Sequence, residues 1–329
     1  MYYIDTSDCT DPWFNLALEE YAVRNLDKKK DYLLLYVNQP CLIIGKHQNL
    51  LEEINLATAG ELNIPVIRRI SGGGTVFHDT GNLNISIITN QTIRNFNKYL
   101  DFLKPILEIL KELSLPVYLN NRNNLIIDDK KISGNAQFTS KQRLLSHGTL
   151  LINSDLDTMN RLIKSENKSN YHSNSTKSVR SNVTNINYFL DSQVNIDYMR
   201  KLILKKIYGN RIKYYQPDAQ QLDAIKKLSE TKYKSWQWNY ELSPKCEIFK
   251  KLSTGKKCAE LKLVIDKGIV HFISLEGNDI SKFVKNTLYN YLIDQPFDYA
   301  SVKNISKSIK KNNLLKPWNQ LPWVKILLN

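Results

Sequence analysis

Positions 68 to 82 read RRISGGGTVFHDTGN, and the three consecutive glycines constrain the fold more than any other stretch. Glycine allows backbone conformations that a side chain forbids. The run lies between the apolar segments IPVIRR and TVFHD, so it must connect two short strands sharply. Two readings are open. A tight turn needs only backbone freedom. An anion cradle would aim consecutive amides into one concavity, and Arg68 and Arg69 would add charge-assisted hydrogen bonds. The stretch is not a Walker A loop, because no GK[ST] follows, and it is not GxGxxG, because Phe77 holds the third glycine position. Arg68, Arg69, His78, Asp79 and Asn82 favour the cradle, since a plain turn needs none of them.

Around this stretch the pattern alternates strands and helices. Asp11 is placed to cap a helix that starts at Pro12 and carries Phe14, Ala17, Leu18, Tyr21 and Ala22 on one stripe. YLLLYV and CLIIG read as short buried strands. In LNISIIT, Leu83, Ile85 and Ile87 alternate with Asn84 and Ser86, which predicts one core face and one polar face. Residues 97–113 have helical spacing, with Pro105 either kinking the helix or marking its start. LIIDDKKISGNAQ reads as two strands turning at Asp129-Lys130, and LLSHGTLLI as a third. Residues 153–185 are rich in Ser, Asn and Lys, which suggests a lid or a linker. Helical spacing returns near 196–208. After Ser243-Pro244, a hairpin turning at Asp266-Lys267-Gly268 and a helix around Phe283–Leu292 suffice for a small α+β domain.

Composition narrows the function class. No apolar run approaches the roughly 18 residues that span a bilayer, and the N-terminal stretch has neither a signal-peptide nor a transit-peptide pattern. A cytoplasmic protein is the expectation. The four cysteines, Cys9, Cys41, Cys246 and Cys258, form no CxxC pair, and the five histidines have no metal-ligand spacing. The net charge of +14 calls for an acidic partner or reflects a lysine-rich surface; from Cys246 onward there are 14 Lys against 7 Asp/Glu.

Lys131 precedes Gly134 and Ala136 on a strand, a run of small residues that lets a ligand approach the backbone. His147-Gly148 repeats the pattern of a polar residue beside a glycine. Each of these side chains also has an ordinary reading, as a solvated lysine or a structural hydrogen-bonder.

Four ordered motifs, RRISGGGTVFHDTGN, KISGNAQ, HGTLLIN and SVRSNVTN, resemble the lipoate-protein ligase A family, and DPWFNLALEE, IIGKHQN and SWQWNY extend the likeness along nearly the whole chain. The resemblance implies an α/β (α+β) fold: a biotin/lipoate ligase catalytic domain with mixed sheets flanked by helices over 1–245, and a small α+β accessory domain over 246–329. It implies activation of lipoate by ATP to lipoyl-AMP, then transfer to a lysine of lipoyl-domain acceptors, such as 2-oxoacid dehydrogenase E2 subunits and the glycine cleavage H protein. Lys131 would touch both the lipoate carboxylate and the α-phosphate and stay protonated there. Arg69, Gly72, Gly73, Gly74, Thr75, Val76, Phe77, His78, Asn84, Gly134, Ala136, His147 and Gly148 would bind ATP or the adenylate. Arg69, Val76 and His78 would join Lys131 on lipoate, with Ile44 as a further lining position. Mg²⁺ would bridge phosphates and side-chain oxygens, with Asn124 and Asp79 as candidates; the family often has Asp where Asn124 stands. The 153–185 loop would be an adenylate lid, and the protein a monomer.

The rivals differ in what they need. A transferase working through a cysteine thioester needs a thiol near the motifs, yet no cysteine lies between Cys41 and Cys246. A transferase of the same fold that only receives an adenylate made elsewhere is kept open by Asn124. A biotin ligase has a differently spaced glycine signature. A nucleic-acid-binding protein would explain the charge but not the glycine run with a separate Lys-Gly-Ala strand.

Overall fold

The computed structural model describes residues 1–6, 8–92, 98–164, 170–255, 257–277 and 280–329. Residue 97 of the expected helix and 165–169 of the expected lid therefore lie outside the described residues. The chain forms two compact units. The first comprises 1–46, 67–157 and 179–235; the second comprises 47–66, 158–178 and 236–329.

In the first unit, β1 (Tyr2–Ile4) leads to helix α1 (Pro12–Asn25), then to β2 (Tyr32–Tyr36), β3 (Cys41–Ile44), β4 (Val66–Arg68), β5 (Val76–His78) and β6 (Asn82–Asn90). After the helix Tyr99–Glu112 come β7 (Tyr118–Leu119), β8 (Leu125–Ile127), β9 (Lys130–Ser133), β10 (Asn135–Ser140) and β11 (Arg143–Leu151). A mixed six-stranded sheet runs β10-β11-β6-β2-β1 and ends on the strand Tyr214–Tyr215. Its β10, β11, β6 and β2 are antiparallel, whereas β2, β1 and Tyr214–Tyr215 are parallel. Two three-stranded sheets, β4-β3-β5 and β7-β8-β9, complete the unit.

The alternation in β6 sets the core. Leu83 and Ile85, with Leu33, Leu35 and Leu150 from neighbouring strands, pack against Phe102, Ile106 and Ile109 of the helix Tyr99–Glu112 and Met199 and Ile203 of the helix Ile196–Tyr208. Burying each such side chain is worth about 1.5–3 kcal/mol. Helix α1 is capped as its sequence demands: Asp11 Oδ1 accepts from the amides of Trp13 and Phe14, with Pro12 at the first helical position.

Of the two readings of Pro105, the structure takes the interior one: it lies within Tyr99–Glu112 and does not start the helix. Two local expectations change. The turn between β8 and β9 falls on Asp128 and Asp129, both left-handed (φ 46° and 58°), one residue earlier than the expected Asp129-Lys130. Asp tolerates that conformation better than Lys. The 153–185 region holds a helix, Leu156–Leu162, and a strand, Tyr171–Ser173. The strand Tyr2–Ile4 is not among the expected elements, because three residues are too short to carry a periodic signal.

In the second unit, Tyr171–Ser173 pairs antiparallel with Cys246–Thr254, which continues to Lys257–Asp266 and Ile269–Glu276. The hairpin turns on Lys267 and Gly268, both with positive φ. The helices Lys282–Leu292 and Tyr299–Lys311 follow. Among the described residues, no helix is long and apolar enough to cross a membrane.

Candidate active site

The side of β6 opposite the core is polar, and it is buried. Asn84 pairs with Tyr36 on β2 and Thr149 on β11; Ser86 pairs with Leu34 and His147; His147 in turn pairs with Ala136 on β10. Asn84, Ser86, Thr149 and His147 are all buried. Buried polar groups need partners, and α1 supplies one: Glu19, 1 % exposed, accepts from Tyr36 Oη at 2.9 Å, from the Ser86 hydroxyl, and from His147 Nδ1 at 3.0 Å. Burial alone would raise the Glu19 carboxyl. The hydrogen bonds from His147, Ser86 and Tyr36 favour the ionised form and hold the carboxyl below its usual range.

The glycine run between β4 and β5 lies on this face. A Cβ on Gly73 would lie 3.8 Å from Ala136 Cβ. Arg69 binds the run from inside: Nη2 donates to the carbonyls of Gly72 (2.6 Å) and Gly74 (2.8 Å), Nη1 to Ile43 O (3.2 Å), and Nε to Ser71 Oγ (3.0 Å). Burial lowers the Arg69 guanidinium to about 10, so it stays charged at neutral pH. Arg68 is fully buried and donates to the carbonyls of Gly45 and Lys46. Both arginines thus spend donors on the protein's own carbonyls. The loop amides are not so spent: no described group accepts from the N–H of Gly72, Gly73 or Gly74. Gly73 has φ 93°, where a side chain would be strained. Carbonyls tied inward with consecutive amides left over describe a cradle better than a plain turn.

Lys131 opens the second wall. Its main chain is fixed on β9 and by the segment beyond residue 178: its amide donates to Asn182 O (2.7 Å), and its carbonyl accepts from Thr184 (3.0 Å). Its ammonium has no hydrogen bond or ion pair with a described residue. It runs back over Gly134, where a Cβ would lie 2.8 Å from Nζ. Burial first, and the Arg69 charge second, lower its pKa from 10.5 to about 8. A value near 8 leaves it largely protonated at neutral pH, by a narrow margin.

The remaining positions divide. His78 is buried and pushed down to about 3 by burial and the Arg69 charge, so it is neutral; its Nδ1 accepts from Asn38 Nδ2 at 3.0 Å. Val76 and His78 pair with Ile43 and Cys41, and Phe77 with Leu42, where it is buried; Thr75 is half-buried. Asn84 Oδ1 accepts from Asn82, while Asn84 Nδ2 is buried with no partner among the described residues. At Gly148 a Cβ would meet Asn135 Oδ1 at 1.9 Å; that side chain anchors Asn123 O at 2.7 Å. Asp79 gives Oδ1 to the Gly81 amide and Oδ2 to the Asp155 amide. Asn124 is buried, and its amide donates to Asn120 Oδ1. Among the described residues no three His, Cys, Asp or Glu side chains converge as a metal site.

Comparison with known proteins decides the family. The model of the lipoyl protein ligase A/B catalytic domain matches residues 11–208. The chain belongs to the lipoate-protein ligase family. Lipoate–protein ligase 1 of Staphylococcus aureus is 38% identical over 304 residues, covering 92% of each chain. Two solved structures share the fold. One is from a study of a bi-partite lipoate protein ligase and its E2 lipoyl domain from Thermoplasma acidophilum (TM-score 0.62, 24% identity, 72% of this chain and 95% of that one). The other is a lipoate-protein ligase A bound with ATP (TM-score 0.61, 23% identity, 72% of this chain and 97% of that one).

In this member of the lipoate-protein ligase family, Glu19 and Ser71 lie inside the quoted motifs DPWFNLALEE and RRISGGGTVFHDTGN, but neither takes a role from the sequence alone. Glu19 lies three residues after buried Leu16 and four before buried Val23, so a carboxylate inside the apolar stripe was the available signal. Cys41, the cysteine nearest the motifs, is fully buried; burial and the charges of Asp79 and Asp11 push its thiol well up, so it offers no thiolate.

Proposed function

We propose that this chain is an ATP-dependent lipoate–protein ligase acting through an acyl-adenylate. A lipoate carboxylate oxygen attacks the α-phosphorus of ATP, the bond to the pyrophosphate oxygen breaks, and lipoyl-AMP forms. The ε-amine of an acceptor lysine then attacks the lipoyl carbonyl, AMP leaves, and the amine loses its proton. The first step brings two anions together, so the site must supply fixed positive charge and donors.

The observation that carries this reading is the unpaired ammonium of Lys131, lying over Gly134 and within reach of the Arg69 charge, together with a glycine run held by Arg69 whose amides are unspent. Lys131 contacts the carboxylate and the α-phosphate. Gly72–Gly74, Thr75, Val76, Phe77, His78, Asn84, Ala136 and His147 line the adenylate, with Val76 and neutral His78 toward lipoate. Gly134 and Gly148 act by giving room to Lys131 and Asn135, and Arg69 by shaping the loop. Mg²⁺ enters as the counter-ion of ATP. Asp79 already holds two amides, so no step is assigned to a protein-held metal.

On this reading the acceptors are lipoyl domains of E2 subunits and the glycine cleavage H protein, met by a cytoplasmic monomer whose catalytic part is 1–245 and accessory part 246–329. The test is release of pyrophosphate from purified protein with Mg-ATP and lipoate, octanoate or biotin in turn. Lipoate should give the fastest release, and Lys131→Ala should slow it at least ~100-fold. No release from the wild type would sink the ligase and leave a transferase that receives its adenylate.

A further inference from the structure

The glycine loop is tied to α1 by one unbroken chain of side-chain hydrogen bonds. Arg69 Nε lies 3.0 Å from Ser71 Oγ, Ser71 Oγ 2.7 Å from His147 Nε2, and His147 Nδ1 3.0 Å from Glu19 Oε2. Every member is buried.

Counting protons gives this chain a direction. Arg69 can only donate, and a carboxylate can only accept. Glu19 already accepts from Tyr36 and Ser86, so the His147 nitrogen facing it must carry a proton. A singly protonated imidazole then offers a lone pair at Nε2. Ser71 fits between them: its oxygen accepts from Arg69, and its proton goes to Nε2, the nearer of two acceptors, since Gly72 O lies at 3.4 Å.

We propose that Glu19 is a positioning residue of the ligase: by holding the proton of His147 on Nδ1, it directs the Ser71 hydroxyl to Nε2 and keeps Arg69 and the carbonyls of Gly72 and Gly74 in register. Glu19 sits at the far end of the chain from the glycine loop and acts through His147 and Ser71. Replacing it by glutamine keeps the shape but adds an N–H. That N–H points toward groups already donating, so the cheapest repair moves the His147 proton to Nε2. Ser71 Oγ would then face two donors, from Arg69 and His147, and its own proton would turn to Gly72 O, a carbonyl Arg69 needs.

The ring tautomer is read by nitrogen NMR of labelled histidine at neutral pH, with His147 assigned by its loss in His147→Asn. In the wild type, Nδ1 should be protonated and Nε2 bare, and Glu19→Gln should reverse this. An Nε2-protonated or doubly protonated ring in the wild type overturns the proposal, and so does a tautomer unchanged by Glu19→Gln. This arm needs no variant to be active and stands whether or not the ligase reading does.

The kinetic arm rests on that reading. Glu19→Gln should slow pyrophosphate release by about 10²-fold, the scale of a misplaced reacting group. Adding it to Ser71→Ala should cost no more than about twofold beyond the slower single variant, because both break one chain. Losses that multiply would mean that Glu19 acts elsewhere, and would overturn the proposed route.

Discussion

The ammonium of Lys131 lies against the α-carbon of Gly134: a Cβ there would come within 2.8 Å of both Cε and Nζ. Gly134 has no positive φ, so alanine suits its backbone. The clash is with the far end of a flexible chain, which can swing aside cheaply. Gly134→Ala should therefore change unfolding stability by no more than about 0.5 kcal/mol while lowering kcat/KM about 10²-fold. Urea unfolding and pyrophosphate release check the two halves, and a fully active variant would mean that Lys131 is not confined as described.

Gly72 and Gly73 should part company. Gly73 has φ 93°, and its Cβ would lie 2.8 Å from Arg69 Nη2, whereas Gly72 has open space around it. Gly73→Ala should cost about 1–2 kcal/mol from the left-handed backbone alone, and Gly72→Ala no more than about 0.5 kcal/mol. Equal urea midpoints for the two variants would contradict this loop geometry.

Activity should fall as pH rises through about 8 in the ligand-free enzyme, because Lys131 loses its proton there and not near 10.5. The sign for stability is opposite. Between about 8 and 10.5 the unfolded chain keeps a proton that the folded chain has released, so this group's contribution to stability rises with pH across that window. The profile of kcat/KM against pH should lose its basic limb near 8 in Lys131→Arg. A limb that survives unchanged belongs to another group.

The same penalty predicts that Lys131→Met stabilises the ligand-free protein, by an amount on the order of 1 kcal/mol, while removing activity. Thermal unfolding without substrates measures it. A lower midpoint than the wild type would show that Lys131 holds the fold together and does not merely strain it.

Much of the site was legible because its chemistry is local. Gly72–Gly74, Lys131 and the alternation at Leu83–Ile87 each rest on neighbours in the chain; they fall on three different sheets or their loops, and of these the alternation takes the expected faces, with Leu83 and Ile85 in the core and Asn84 and Ser86 on the polar side. What the residue order hid was direction. Arg68 and Arg69 read as phosphate ligands because both carry forked donors, yet those donors turn onto Gly45, Lys46, Gly72 and Gly74, and only the folded loop decides which way a guanidinium points. Glu19 was hidden for another reason. Its partners, Tyr36, Ser86 and His147, lie on three separate strands, and an acidic residue on a helix is ordinarily solvated. The 153–185 region looked structureless because Tyr171–Ser173 takes its order from pairing with Cys246–Thr254, far along the chain.

Because both faces of β6 are buried, one against hydrocarbon and the other against a hydrogen-bonded network, the strand should tolerate change in two distinct ways. In a library randomised at 83–86, positions 83 and 85 should accept most aliphatic replacements of similar volume. Positions 84 and 86 should accept almost nothing, because a new side chain there must match fixed donors and acceptors and not merely fill space. Drift among relatives would then leave a two-residue rhythm, loose and strict by turns, along a strand without a solvent-facing side.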